Sequence, residues 1–446
     1  MTTPSETTSP PTRAALASWL SLAVLLIATL YTYADRQIFA LQAEPIRKAL
    51  ELSDLQFGLL QGLGHAIFAA AVGYPIAWLS DRFDRRVVLA GCLALWSATL
   101  MASGFAGSFA QLFLATSLVG AAEAGMLPIL YALVPELFSG KQRQYANSAL
   151  VVAGRLLVGL VIAACGWLIF AIDHWRPALP DALQAMETWR IAFLLTGAAG
   201  LIFVPAVLWV KVTSDRPLPA QPADVTSGAS VLPFLRGQTA TFASFMISVG
   251  LLVFGFGATG AFIPVIATRQ MGMTPVELGN AMGLATFAAA VVGLAVANAG
   301  LGPLSKRYGA LLPVRVLTIA ALGSGLFAAA LPLARNPVEL FVIVGLHQCL
   351  LMAGTMLFPT ALQEMTPVHL RARLIALVIM SNIVLASLSP AVVGALSDAL
   401  KPNPLGLTYA MSGTSATALL LAAVSMWICG RRYMGTVRDA RAAELS

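Results

Sequence analysis

The chain has 446 residues, of which 58% are hydrophobic and 11% charged, and its formal net charge is +7. Soluble domains carry roughly 25% charged residues, so this composition excludes an ordinary soluble protein and points to a polytopic membrane protein. The basic residues are scattered over short loops and form no patch, which fits membrane topology and excludes a nucleic-acid partner.

Residues 1–13, which open "MTTPSETTSPPT", are polar and Pro/Thr-rich and are expected to be a disordered cytoplasmic N-terminus. The apolar run that follows is too long for a signal peptide, and no basic region precedes it. A span needs about 20 apolar residues. On that basis twelve spans are expected, near 15–42, 55–79, 87–107, 110–135, 145–172, 189–212, 239–267, 276–299, 313–333, 337–362, 374–396 and 405–429. The stretch 213–236, rich in Pro, Ser and Asp, reads as a cytoplasmic linker between six-helix bundles at 14–212 and 237–430, with 431–446 as a cytoplasmic tail. Placing both termini in the cytoplasm puts 18 Lys and Arg inside and 7 outside, leaving Arg36 and Arg155 within spans. That asymmetry supports an even number of spans, and a bacterial inner membrane is the expected location. Cys92, Cys165, Cys349 and Cys429 lie in apolar stretches without metal-ligand spacing, so neither a metal nor a cofactor is expected.

The two halves echo one another. "LSDRFD" (79–84) follows the second span and "LSKRYG" (304–309) the eighth; Glu136 and Arg143 follow the fourth with the same spacing as Glu364 and Arg371 after the tenth. Repeated halves of six spans are a transporter architecture, with the substrate site near the midplane between them.

Charges inside spans are costly, roughly 2.5–3.5 kcal/mol each on insertion scales, and are functional candidates by default. Here they are Asp35 and Arg36 in the first span, His65 in the second, Glu123 in the fourth, Arg155 in the fifth and His347 in the tenth. Adjacent helical residues point about 100° apart, so Asp35 and Arg36 are free to meet different partners. Tyr31 shares a stripe with Asp35, Thr116 and Gly120 share the face of Glu123, and Gln61 lies one turn before His65. A buried carboxylate near an arginine can change protonation as a cavity alternates between wet and occluded, so Asp35 and Glu123 are candidates for proton coupling. Arg36 is the candidate for an anionic substrate group, with Tyr31, Arg155, His65, Gln61, Thr116, Gln348 and Asn382 as further substrate-binding candidates. His65 and His347 also read as hydrogen-bonded core histidines. The seventh span is aromatic and uncharged, so charge on one cavity wall facing apolar surface on the other suits an amphiphile.

The loop "GYPIAWLSDRFDRR" (73–86) places Gly73, for close helix approach, ahead of Asp81, Arg82, Arg85 and Arg86, which can hold neighbouring helix ends in one conformational state. This segment resembles the signature loop of the major facilitator superfamily, and "LSKRYG" resembles its degenerate copy, with Lys306 where the acid would stand. Within that superfamily, "YADRQIFALQAEPI" (33–46), "LSDLQFGLLQG" (52–62), "SDRFDRR" (80–86) and "LVGAAEAG" (118–125) are similar to the Spinster-like branch. The resemblance implies an all-α membrane protein with twelve transmembrane helices in two pseudo-symmetric six-helix bundles, working as a monomer by alternating access. Eukaryotic members of that branch are associated with sphingolipid and lysophospholipid export. The branch usually carries an arginine seven residues before the glutamate of the fourth span; Thr116 stands there, and Arg155 is expected to replace it, reaching Glu123 or facing the cavity.

The reading is a secondary active transporter of a small organic anion or amphiphile. A sugar-acid or aromatic-acid proton symporter is the alternative, since such relatives share a "Tyr-x-Asp-Arg" first span; a non-transporting sensor is the reading from another class. No phosphate-binding Gly-rich Lys-Ser/Thr loop, His-Glu-x-x-His or Gly-x-Ser-x-Gly occurs, which argues against an ATP-driven pump and an intramembrane enzyme.

Overall fold

The computed structural model describes residues 13–210, 237–298, 302–367 and 370–445, apart from a few side chains, that of Arg155 among them. The expected disordered start and the linker at 213–236 lie outside the described residues, as does the side chain on which the Arg155 replacement rests.

The described residues fold as helices joined by short turns. Span 1 is Arg13–Thr32 continued by Ala34–Leu41; span 2 is Asp54–Leu59, a π segment Leu60–Gly64 and His65–Arg82. Spans 3 to 6 are Arg85–Gly104, Phe109–Leu137, Gly140–His174 and Thr188–Leu208. Spans 7 to 9 are Thr239–Met271, Pro275–Asn298 and Leu312–Ala330. Span 10 is Pro337–Thr355 with Phe358–Glu364, and spans 11 and 12 are Arg371–Ala399 and Gly406–Leu445. Among the described residues, eleven helices are long and apolar enough to cross a membrane, and the pair 54–69 and 71–82, bent by 40°, makes a twelfth when taken as one broken span. The architecture is the twelve-helix, two-half fold.

Two departures from regular helix frame the centre of the first half. At Tyr33 the main chain tightens: its N–H bonds to Leu30 O at 3.1 Å, and the Gln37 N–H reaches Tyr33 O at only 3.4 Å. The π segment interrupts span 2 immediately before His65, and such bulges often mark functional sites.

The halves meet through close helix crossings. A Cβ on Gly62 would lie 2.0 Å from the Ser387 carbonyl oxygen, and one on Gly394 2.2 Å from that of Asp54, so spans 2 and 11 touch main chain to main chain. A Cβ on Gly159 would lie 2.5 Å from the Gly283 carbonyl oxygen, a similar approach between spans 5 and 8.

Span 12 runs on as helix beyond Gly430, where a tail was expected. Its 40 residues reach ~60 Å at 1.5 Å per residue, about twice the hydrocarbon thickness. Tyr433, Val437 and Ala440 form a buried stripe at helical spacing, and this stripe keeps the extension folded against its own half. The Tyr433 hydroxyl donates to Ala361 O at 3.0 Å, and Thr436 Oγ1 donates to Gln238 Oε1 at 2.7 Å.

Candidate functional site

The two charges of span 1 go to different partners. Arg36 Nη2 lies 2.6 Å from Glu123 Oε2 on span 4, with the arginine side chain 50% exposed and the glutamate 16%. Asp35 is 3% exposed; its Oδ2 lies 3.7 Å from His65 Nε2, and its Oδ1 has no hydrogen-bond partner among the described residues. Neither ring nitrogen of His65 is hydrogen-bonded among the described residues either, so His65 is not the satisfied core histidine expected from sequence. A buried carboxyl and a half-buried imidazole thus face each other across the contact of spans 1 and 2. The Ala34–Leu41 helix touches spans 7 and 8 of the other half, which places these charges at the meeting of the halves.

Span 4 is pressed onto this point. A Cβ on Gly120 would lie 2.2 Å from the His65 carbonyl oxygen, so only glycine lets Glu123 and His65 share one level. Thr116 is buried and its hydroxyl donates to Phe113 O at 3.1 Å within its own helix, while a Cβ on Gly64 would meet its Oγ1 at 3.0 Å. Gln61 is half-buried on the π segment.

Tyr31 is not brought to the charges. Its hydroxyl donates to Thr196 O at 2.9 Å, and its ring packs on Trp96 and Phe203. In the second half, Gln348 is half-buried, and Asn382 carries a buried Oδ1 without a partner among the described residues. His347 is fully buried and satisfied, its Nδ1 2.7 Å from Ser324 Oγ and its Nε2 3.2 Å from Thr259 Oγ1.

The 73–86 loop ties helix ends within the first half. Arg85 pairs with Glu136 at the end of span 4 and lies 3.7 Å from Asp81. Arg86 pairs with Asp84 at 2.6 Å and donates to Val210 O at 3.0 Å, after span 6. Hydrogen bonds from Arg86 hold the Asp84 carboxyl below the usual carboxylate range. Arg82 stacks on Trp78 at 4.0 Å. Asp81 is 74% exposed and, among the described residues, its ionic partner is Arg85. Gly73 does not make the close approach expected of it: a Cβ there would meet Ala124 Cβ at an ordinary 3.7 Å, because the tight contact of spans 2 and 4 falls at Gly120.

Sequence reasoning missed a second ionic cluster, on the opposite face. Arg269, at the end of span 7, donates to Glu44 Oε2 at 3.1 Å and to Asp54 Oδ1 at 2.9 Å, crossing from one half to the other. Ser397 of span 11 donates to Asp54 Oδ2 at 2.7 Å, and Asp398 accepts the Asp54 and Leu55 N–H groups at 3.2 and 2.9 Å. The last two bonds place a carboxylate on a helix start. Burial opposes ionisation of Glu44, but Arg47 and Arg269 outweigh it and hold the carboxyl below its usual range.

Twelve spans in two halves, with charges buried where the halves meet, define a polytopic membrane transporter rather than an enzyme. The family model described as Major Facilitator Superfamily matches residues 25–390, and the chain belongs to that superfamily. It is 31% identical to an MFS-type efflux pump of Mycolicibacterium smegmatis over 93% of each chain. It is 26% identical to the sphingosine-1-phosphate transporter SPNS2 of Xenopus tropicalis over 77% of this chain, spanning 65% of that relative's length. A bacterial homologue of the human lysosomal transporter Spinster, crystallised in an inward-facing, unoccupied conformation, aligns with a TM-score of 0.73 at 20% identity, covering 95% of this chain and 97% of that one. The chain thus resembles the Spinster-like branch.

Proposed function

We propose that the chain is a proton-coupled secondary active transporter of a small organic anion or amphiphile, lysolipid-like or sphingoid-like, working by alternating access as a monomer. Asp35 carries the proton with His65 beside it. Glu123 positions Arg36 and takes part in coupling, and Arg36 holds the anionic group of the substrate. Gln348 and Asn382 supply polar contacts from the second half, opposite an apolar wall. The halves, 14–212 and 237–430, rock about the central segment 213–236, with both termini in the cytoplasm of a bacterial cell. The Glu44–Asp54–Arg269 cluster is the outer gate, and the 73–86 loop serves the opposite gate.

The observation that carries this reading is the Asp35–His65 pair, a buried carboxyl 3.7 Å from an imidazole, beside the charge-balanced and partly exposed Arg36–Glu123 pair. A buried carboxylate beside an imidazole is suited to exchange a proton when solvent access changes sides.

The test is uptake into sealed proteoliposomes under an imposed pH gradient, with lysolipids, sphingoid bases and sugar acids offered in turn. Uptake of an amphiphile that collapses with the gradient is expected. Gradient-driven uptake of sugar acids alone would replace the substrate class, and binding without flux of any solute would leave a sensor.

A further inference from the structure

The second half carries a groove of about 410 Å³ on the same face as the 73–86 loop, between the helix Gly302–Tyr308, the start of span 9 and span 12. Spans 9 and 12 pack on each other and on neighbours of their own half, so their far sides meet lipid. Three groove residues are apolar and open: Leu304 is 43% exposed, Ile319 65% and Trp427 52%. At the groove's end stand two guanidiniums. Arg315 lies 4.3 Å over the Tyr308 ring and Arg431 3.8 Å over Trp427. Among the described residues neither meets a carboxylate.

Arg315 and Ile319 are one turn apart on span 9, as Trp427 and Arg431 are on span 12. Both arginines therefore sit at the same level, one turn beyond the apolar floor. Trp and Tyr at that level mark the headgroup region of a bilayer. A guanidinium stacked on a ring keeps its N–H edge free, and that edge matches a phosphate oxygen pair. Arginines that only set topology would need neither a groove between them nor rings beneath them.

We propose that this groove binds one anionic glycerophospholipid from the leaflet on the 73–86 face, its phosphate between Arg315 and Arg431 and an acyl chain along Ile319 and Trp427. Two uncompensated positive charges select an anionic headgroup over a zwitterionic one, as basic pockets between spans do.

The experiment is native mass spectrometry of the full chain in detergent, titrated with phosphatidylglycerol or with phosphatidylcholine. Wild type is expected to retain one phosphatidylglycerol preferentially. Arg315→Gln with Arg431→Gln should weaken that retention by at least about tenfold. Equal charge removal on the other face, Lys48→Gln with Arg335→Gln, should leave it unchanged. Ile319→Trp fills the groove while keeping both arginines and should also lose the lipid, so the proposal survives or fails even if the double variant does not fold. Equal retention of both lipids by wild type would overturn it, as would unchanged retention in the folded variants. Displacement by glycerol 3-phosphate as readily as by the whole lipid would also overturn it, making the site one for a soluble phosphate.

Discussion

Asp35 and Arg36 are chain neighbours with opposite surroundings, one sealed at 3% exposure and the other half open. The angle between successive helical residues sends one toward span 2 and the other toward span 4. Replacing Arg36 with Lys keeps the charge but loses the planar fork. The expected result is a half-saturation constant raised about tenfold for an anionic substrate, the loss of roughly one charge-assisted bond, with little change at saturating substrate; initial-rate uptake checks it. Gly120→Leu should be more severe than any polar change. Its side chain would be driven into the His65 main chain, and overpacking costs typically 1–3 kcal/mol, which thermal unfolding in detergent would register. The charges were legible in the sequence because a charge in an apolar run stands out. Their partners were not: Glu123 and His65 stood out only as ionisable residues in other spans, with Arg155 the expected partner of Glu123, and the divergent pairing depends on the crossing at Gly120 that brings spans 2 and 4 together. Tyr31 shares a helical stripe with Asp35 yet bonds to Thr196, because the turn at Tyr33 separates them.

The elements that close one face are the starts and ends of spans 2, 7 and 11. Arg269 bridges two carboxylates whose side chains are 8% and 6% exposed. Removing one partner of a buried pair costs ~3 kcal/mol or more. Arg269→Gln is therefore expected to shift the population from closed to open on that face by about a hundredfold, read as increased pulsed-EPR distances between labels on Lys48→Cys and Lys401→Cys. Unchanged distances would remove the gate. Gly394→Leu should give the same opening by a steric route, since spans 2 and 11 could no longer touch. The latch should be insensitive to mild acid. Because the Glu44 value is lowered in the folded protein, its contribution is complete above the unfolded value of about 4.3. It is lost only as pH falls through that lowered value. Distances measured at about pH 5 should match those at neutral pH, which leaves the response to a proton gradient to the midplane charges. None of this cluster emerged from the sequence beyond a count of charges. Arg269 meets Asp54 across 215 residues of chain, and no local pattern encodes such a contact. The extension of span 12 was missed for a related reason: residues after Gly430 look polar, and only the stripe of Tyr433, Val437 and Ala440 shows that one face is buried.

At the scale of the whole molecule, the apolar runs gave the order of the spans and their approximate positions, because bilayer thickness sets their length. The π segment and the break at Tyr33 were not visible in those runs, since hydropathy does not register a change in hydrogen-bond pattern. Both occur next to the midplane charges. On one face Arg269 ties the two halves together, whereas the ion pairs of the 73–86 loop on the other face stay within the first half. A carrier working as proposed above would make and break the Arg269 contact as it alternates.

The most direct test of proton coupling through Asp35 compares wild type with Asp35→Asn in proteoliposomes, measuring proton flux during substrate uptake and, separately, substrate exchange at equal pH. Asp35→Asn is expected to keep exchange while losing both proton flux and gradient-driven accumulation. Accumulation and proton flux at wild-type levels in Asp35→Asn would contradict it.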